Sequence, residues 1–154
     1  MKRIIFSILI MFPVLFNECR ADQPAGAAVV SEPEEGVTQL TNDTFKKFIF
    51  NYEAEKEWKF SGKKPVIIDF YADWCAPCRQ LSPLIEEIAK EYSDKIDVYK
   101  VDTEKEKALA RNLGITGLPT ILFIPVEGSP RVAMGALPKE SLVQAITEVL
   151  KVTK

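Results

Sequence analysis

The decisive stretch of this sequence is Val66-Ile67-Ile68-Asp69-Phe70-Tyr71-Ala72-Asp73-Trp74-Cys75-Ala76-Pro77-Cys78. Its apolar first half, Val66–Tyr71, predicts a buried strand, and the residues from Ala76 onward have the apolar spacing of a helix. Two cysteines lie three positions apart where the strand gives way to the helix. A cysteine pair in this position indicates a dithiol that is reversibly oxidised during function.

Two other interpretations of the cysteine pair are a structural disulfide and half of a shared metal site. A bridge across two residues closes a very small loop, so it constrains the unfolded chain little. The sequence has no histidine and three cysteines, which are too few for a four-ligand zinc site within one chain. The lack of histidine also excludes Ser-His and Cys-His catalytic pairs. We therefore expect redox chemistry and no metal.

The two cysteines are predicted to have different roles. Cys75 lies at the start of the predicted helix, where free backbone N–H groups and the helix dipole stabilise a thiolate. Cys75 is therefore the predicted nucleophile. Cys78, one turn further along, is predicted to resolve the mixed disulfide. Pro77 suits the first turn of a helix and fixes the backbone there.

Asp69 is the other candidate catalytic group. Strand alternation puts it on one face with Ile67 and Tyr71, inside an apolar run, so we expect burial to raise its pKa. It could accept or donate the proton of the resolving thiol; the alternative is a structural acid bonded to the backbone. Lys100, on the next predicted strand, is a possible partner of Asp69 or a solvated lysine.

The N-terminus predicts export. Lys2-Arg3 precede a short apolar run, Ile4–Phe16, and Cys19-Arg20-Ala21 resembles a signal-peptidase site. The apolar run is too short to span a membrane. We therefore predict a signal peptide over residues 1–21 and a periplasmic or otherwise exported protein. A lipoprotein anchored through Cys19 is the less favoured alternative, because Phe16-Asn17-Glu18 lacks small residues.

The rest of the chain predicts one α/β domain. Residues 22–36 are rich in Pro, Ala, Gly and Glu and predict a flexible linker, and residues 37–154 form the domain. A net charge of −2, with basic residues scattered among acidic ones, argues against nucleic-acid binding. The predicted strands are 37–40, 66–71, 96–101, 120–124 and 131–134. The predicted helices follow Thr41, cover 76–92, 104–113 and 137–152, and include a helix end within 53–64. This order implies a mixed β-sheet flanked by helices on both faces.

Several motifs, in order, resemble the thioredoxin family over residues 37–152. They are Asp69–Arg79, Pro83, Lys100-Val101-Asp102, Gly114–Thr120 and Gly135-Ala136-Leu137. The resemblance implies a thioredoxin fold with Asp69 as the buried acid, Lys100 as its neighbour and a cis peptide bond at Pro119. It also implies a substrate groove formed by Trp74, Ala76, Pro77, Gly117, Leu118, Gly135 and Ala136, with the Leu118 backbone pairing with an extended substrate.

The implied activity is protein-disulfide reduction through a reversible Cys75–Cys78 disulfide, with no other cofactor. Its partners would be protein disulfides and, in an oxidising compartment, a membrane electron donor. We expect a monomer. A disulfide oxidase or isomerase and a non-catalytic groove-binding module are the alternatives. Three features depart from the family pattern: Ala76 replaces the usual glycine, Leu118 stands where isoleucine is common, and the segment 52–64 is longer than in the shortest members.

Overall fold

The structure, a computed structural model, describes residues 36–154. The predicted signal peptide, Cys19 and nearly all of the predicted linker lie outside the described residues. Nine elements follow Gly36: β1 (Val37–Gln39), α1 (Asn42–Phe48), β2 (Val66–Tyr71), α2 (Ala76–Glu91), β3 (Asp97–Asp102), α3 (Lys107–Asn112), β4 (Thr120–Ile124), β5 (Arg131–Met134) and α4 (Lys139–Glu148).

The five strands form one mixed sheet in the order β1-β3-β2-β4-β5. The first three strands in this order are parallel, and β4 runs antiparallel to both β2 and β5. The central strand, β2, is buried along its length except at Tyr71, as its continuous apolar run predicts. The predicted mixed sheet and thioredoxin fold are confirmed.

Helices cover both faces of the sheet. On one face, α2 and α4 pack Leu81, Ile85 and Ile146 against the sheet residues Ile67 and Ile121. On the other face, α1 and α3 cover a second cluster, whose buried members include Phe45, Ile49, Ile68, Phe70, Leu109 and Leu122. Alternate residues of β2 therefore enter different clusters, and Asp69 lies on the α2/α4 face with Ile67.

Local sequence fixes the helix ends near the sheet. The Thr41 side chain caps α1, forming a reciprocal capping box with Thr44. The α3 helix ends at Asn112, and Gly114 follows with a φ of +69°, a left-handed conformation that glycine adopts without steric cost. Both features agree with the sequence predictions.

Several boundaries differ by one residue, and three regions differ from the prediction by more than that. The segment 53–64 forms turns and irregular chain rather than a helix end, because Trp58 and Phe60 pack as separate anchors and not as a helical stripe. The third helix begins at Lys107, because a turn precedes it. In that turn the Glu106 N–H donates a hydrogen bond to the Asp102 carbonyl at 2.8 Å. The last helix is confined to Lys139–Glu148, after Pro138 at its N-cap. Within residues 36–154, no helix has both the length and the apolar character to cross a membrane.

Candidate active site

Cys75 and Cys78 form a disulfide at the point where the loop after β2 enters α2. The S–S distance is 2.04 Å and the two Cα atoms are 5.3 Å apart. Both residues are buried, Cys75 being 3% and Cys78 1% exposed. They pack with Ala72 against Tyr71 and Leu118. The predicted pair is therefore joined, and it lies at the C-terminal end of the central strand.

The start of α2 provides the electrostatic setting of Cys75. Cys75 is the N-cap residue, and its Sγ accepts a hydrogen bond from the Cys78 backbone N–H at 3.2 Å. Pro77 occupies the first turn of the helix, as predicted. When the disulfide is reduced, this N–H group and the positive end of the helix dipole favour a negative charge on the Cys75 sulfur. The helix therefore favours Cys75 as the attacking thiolate.

The residues around the disulfide are open to a protein substrate. Ala76 and Pro77 are exposed, and Trp74 is 68% exposed despite its large apolar ring. The Arg79 guanidinium donates a hydrogen bond to the Asp73 carbonyl at 3.0 Å, which ties the loop to the first turn of α2. An exposed apolar ring on an anchored loop is a suitable contact for a partner polypeptide.

A second loop borders the disulfide from the side of β4. The Leu118–Pro119 peptide bond is cis, as the family resemblance implied, and Leu118 packs against the cysteine pair. The Gly117 carbonyl accepts a hydrogen bond from the Thr120 hydroxyl at 2.7 Å. The Pro119 carbonyl accepts one from the Gly135 N–H at 2.8 Å. These bonds fix the loop that carries Leu118 and tie Gly135 to it.

A hollow of about 230 Å³ extends this surface beside Trp74. Gly117 and Leu118, which the family resemblance assigned to the substrate groove, line it together with four residues that the sequence reasoning missed: Thr103, Ala110, Ile115 and Thr116. The exposed Ala136 and Gly135 do not line this hollow. Thr103 is held by hydrogen bonds from its N–H and hydroxyl to the Tyr71 carbonyl at 2.9 and 3.0 Å. Thr103 directly follows Asp102, which is in register with Tyr71 on the neighbouring strand.

Asp69 is buried within β2, on the face of the sheet that α2 and α4 cover, and is 3% exposed. Its Oδ1 atom has no hydrogen-bond partner. Burial raises the pKa of Asp69 from 3.8 to about 7, and the charge of Lys100 opposes that shift. A carboxyl group with such a pKa exchanges protons near neutral pH, which suits a general acid or base.

Lys100 is the register partner of Asp69 on the adjacent parallel strand β3, as the sequence predicted. The lysine is half-buried. Its ammonium forms no ion pair with the carboxylate among the described residues and acts on it through space. Lys100 is therefore placed to modulate the proton affinity of Asp69 without neutralising it.

Residues 36–154 contain no cluster of three or more acidic or cysteine side chains that could hold a metal ion. The chemistry of the site is therefore that of the Cys75–Cys78 disulfide.

Comparisons with known proteins agree with this geometry. Residues 36–148 match the family model described as Thioredoxin. The chain is 48% identical over 109 residues to the thioredoxin of Borreliella burgdorferi, covering 71% of this chain and 93% of that protein. It is 33% identical over 142 residues to the chloroplastic thioredoxin M-type of Spinacia oleracea, covering 90% of this chain and 75% of that protein.

Solved structures give the same result. The thioredoxin of Malassezia sympodialis matches with a TM-score of 0.61 and 31% identity, over 77% of this chain and 94% of that one. Chloroplastic thioredoxin z matches with a TM-score of 0.64 and 25% identity, over 76% and 96%. The chain therefore belongs to the thioredoxin family and is a protein-disulfide reductase, whose redox group is its own Cys75–Cys78 disulfide and which needs no cofactor.

Proposed function

We propose that this thioredoxin is exported and reduces protein disulfides outside the cytoplasm, with electrons supplied by a membrane protein. The observation that carries the proposal is the order of the sequence: a basic start and an apolar run, Ile4–Phe16, precede a complete redox motif. An exported compartment is oxidising, so a reductant there needs a continuing supply of electrons from a dithiol donor.

The reaction proceeds in two exchanges. The Cys75 thiolate attacks one sulfur of the substrate disulfide, which forms a mixed disulfide and releases the other substrate sulfur as a thiolate. Cys78 then loses its proton to Asp69 and attacks the Cys75 sulfur. The second substrate thiolate leaves, and the Cys75–Cys78 disulfide remains. Two electrons pass to the substrate, and the donor returns them by the reverse exchanges.

The substrate is held as an extended segment against the cis-Pro loop. Leu118 touches the cysteine pair, and its backbone is available for strand-like pairing with the substrate. Trp74, which lines the same hollow and is largely exposed, supplies an apolar contact. Gly135, whose N–H bonds to the Pro119 carbonyl, and the adjoining Ala136 lie outside the hollow, and these small exposed residues leave room for the substrate segment along the cis-Pro loop.

Export is tested by expressing the full chain with a C-terminal tag in a Gram-negative host and separating periplasm, membranes and cytoplasm. We expect a soluble periplasmic protein whose first residue, by mass spectrometry, is Asp22. A matched chain without residues 1–21 should stay in the cytoplasm. Recovery of the full chain in the cytoplasm would contradict export. Recovery in membranes that is abolished by Cys19→Ala would favour the lipoprotein alternative.

The direction of electron flow is tested by insulin-disulfide reduction and by the reduction potential of the Cys75–Cys78 pair. We expect insulin reduction by the wild type and none by Cys75→Ser. A potential as oxidising as that of dedicated disulfide oxidases would favour the oxidase alternative. If Cys75→Ser/Cys78→Ser retained full function in the cell, a non-catalytic binding role would replace the redox one. Size-exclusion chromatography with light scattering measures the molar mass in solution and so tests the proposed monomer.

A further inference from the structure

We propose that this domain carries a second binding site, at the end of the sheet opposite the cysteine pair, for a small organic anion with a planar apolar body. The site is a cavity of about 400 Å³ between the end of α1, residues 60–64 and the first residues of β2 and β3. We call it the distal pocket; Phe48, Phe60 and Tyr99 form its aromatic walls, and Lys47, Lys63 and Lys64 contribute its cations. Its volume lies within the range of ligand pockets in proteins.

The wall made by Phe60 depends on a glycine. A Cβ atom added to Gly62 would lie 2.3 Å from a carbon of the Phe60 ring, so the ring rests where a side chain would otherwise be. The ring is half-buried and packs against the α1/α3 core. Gly62 and Phe60 therefore form an apolar surface that is partly open. A planar group can stack on the exposed part of the Phe60 ring.

The segment that carries this wall is anchored to the domain. The Ser61 N–H donates a hydrogen bond to the Ile49 carbonyl at 2.9 Å. The rings of Phe50 and Trp58 pack with their centroids 4.8 Å apart. The segment 52–64, which is longer than in the shortest thioredoxins, thus has a fixed course over the end of α1. Together with the end of α1, it encloses a pocket over the first residues of β2 and β3.

The charge of the distal pocket selects an anion. Its lining has three lysines and a single acidic residue, Asp97, whereas the whole chain has a net charge of −2. Lys64 forms a long ion pair with Asp97 at 3.9 Å. Lys47 lies over the Phe48 ring at 5.0 Å, and neither it nor Lys63 forms an ion pair with another described residue. Two lysines are thus available to an anionic ligand whose apolar body contacts the aromatic walls.

The distal pocket is separate from the redox site. It contacts Val66 at the start of β2, whereas the chain leads to Cys75 from Tyr71 at the other end of that strand. At about 3.3 Å per residue, the strand separates the two sites by roughly 17 Å. Occupation of the distal pocket therefore leaves the substrate groove free.

The experiment uses two probes of similar shape and different charge. Anilinonaphthalene sulfonate supplies the planar body with an anionic group, and phenylnaphthylamine supplies the body alone. Calorimetric titration of the oxidised protein should give one site for the sulfonate, with an affinity about tenfold or more above that of the neutral probe, a ratio that corresponds to about 1.4 kcal/mol. Amide chemical shifts on titration should change at Lys47, residues 60–64 and Tyr99. Equal affinities, or shifts confined to Trp74 and Leu118, would overturn the proposal.

Matched charge reversals test the lysines. Lys47→Glu/Lys63→Glu should weaken sulfonate binding about tenfold and leave the neutral probe unaffected. Lys56→Glu/Lys59→Glu makes the same charge change at two exposed residues of the segment 52–64 that do not line the pocket, and should change binding little. If both double variants lost sulfonate affinity equally, the loss would be due to net charge alone, and the proposal would be overturned.

A third variant tests the apolar wall. Gly62→Ala should displace the Phe60 ring and weaken both probes alike. Insulin reduction and thermal unfolding of each variant verify that the redox site and the fold are retained. Unchanged binding of both probes in folded Gly62→Ala would contradict the aromatic wall as the contact.

Discussion

Asp69 and Lys100 are in register on adjacent parallel strands, yet the Asp69 Oδ1 atom has no partner. Burial raises the pKa of Asp69 to about 7, and Lys100 opposes the shift without cancelling it. In the unfolded chain the same carboxyl titrates near 3.8. The folded state therefore binds more protons than the unfolded state between these two values.

This difference predicts how stability depends on pH. Because the folded state holds the extra proton, the free energy of unfolding of the oxidised protein should fall as the pH rises from about 4 to about 7, by up to about 4 kcal/mol from this group. Above the folded-state pKa both states are ionised, and the loss is complete. Asp69→Asn should remove this part of the slope, as measured by denaturant unfolding at several pH values. Parallel profiles for the two proteins would show that Asp69 ionises normally.

Cys78→Ser should trap the mixed disulfide at Cys75. The remaining Cys75 thiolate, at the start of α2, attacks the substrate but nothing resolves the product. Non-reducing electrophoresis followed by mass spectrometry should show a covalent adduct between Cys75 and the substrate. Cys75→Ser is the matched control and should give little adduct, because Cys78 is further inside the helix and 1% exposed. Equal trapping by both variants would contradict the assignment of Cys75 as the nucleophile and Cys78 as the resolving cysteine.

Trp74→Ala should weaken substrate binding without unfolding the domain. The ring is 68% exposed, so its removal should change the free energy of unfolding by less than about 0.5 kcal/mol. It borders the groove, so we expect the KM for insulin to rise several-fold. Val126→Ala removes another exposed apolar side chain, one that does not line the hollow near the cysteines, and should leave KM unchanged. A large loss of stability in Trp74→Ala would mean that the ring serves the fold.

Gly135→Ala should destabilise the domain by about 1 kcal/mol. Gly135 has a φ of +91°, which a residue with a Cβ adopts at a steric cost, although the added atom would have no neighbour within 4 Å. Its N–H also holds the Pro119 carbonyl. Gly117→Ala serves as the control, since its backbone has no such conformation and the nearest atom, on Met134, would be 4.0 Å from the new Cβ. Thermal unfolding should separate the two; equal stability would argue against the backbone as the cause.

The sequence predicts the central parts of this fold better than its edges. The continuous apolar run Val66–Tyr71 leaves no alternative to a buried strand, and the observed bounds are the same. The sequence predicts the third helix from Glu104, but residues 104–106 belong to a turn in which the Glu106 N–H donates to the Asp102 carbonyl, and the helix begins at Lys107. Trp58 and Phe60 do not follow the apolar spacing of a helix or a strand. Their packing depends on tertiary partners that the spacing of residues does not reveal.

The site divides in the same way. Cys75, Cys78 and Asp69 follow from local pattern, since a helix start and strand alternation determine their positions. The cis bond at Pro119 follows only from the family resemblance, because the local sequence favours trans. Thr103, Ile115 and Thr116 join the hollow through the meeting of β3 with the loop before β4. No short-range signal distinguishes them from ordinary loop residues.

The hydrogen bond from the Cys78 N–H to the Cys75 sulfur exists while the two sulfurs are still joined. The donor that steadies the charged sulfur after reduction is thus already aimed at it before any electron arrives. A donor that is already in place when charge develops is the arrangement that stabilises that charge most effectively. The same N–H group thus serves the Cys75 sulfur in the disulfide and would serve it as a thiolate, without a new donor having to be brought in.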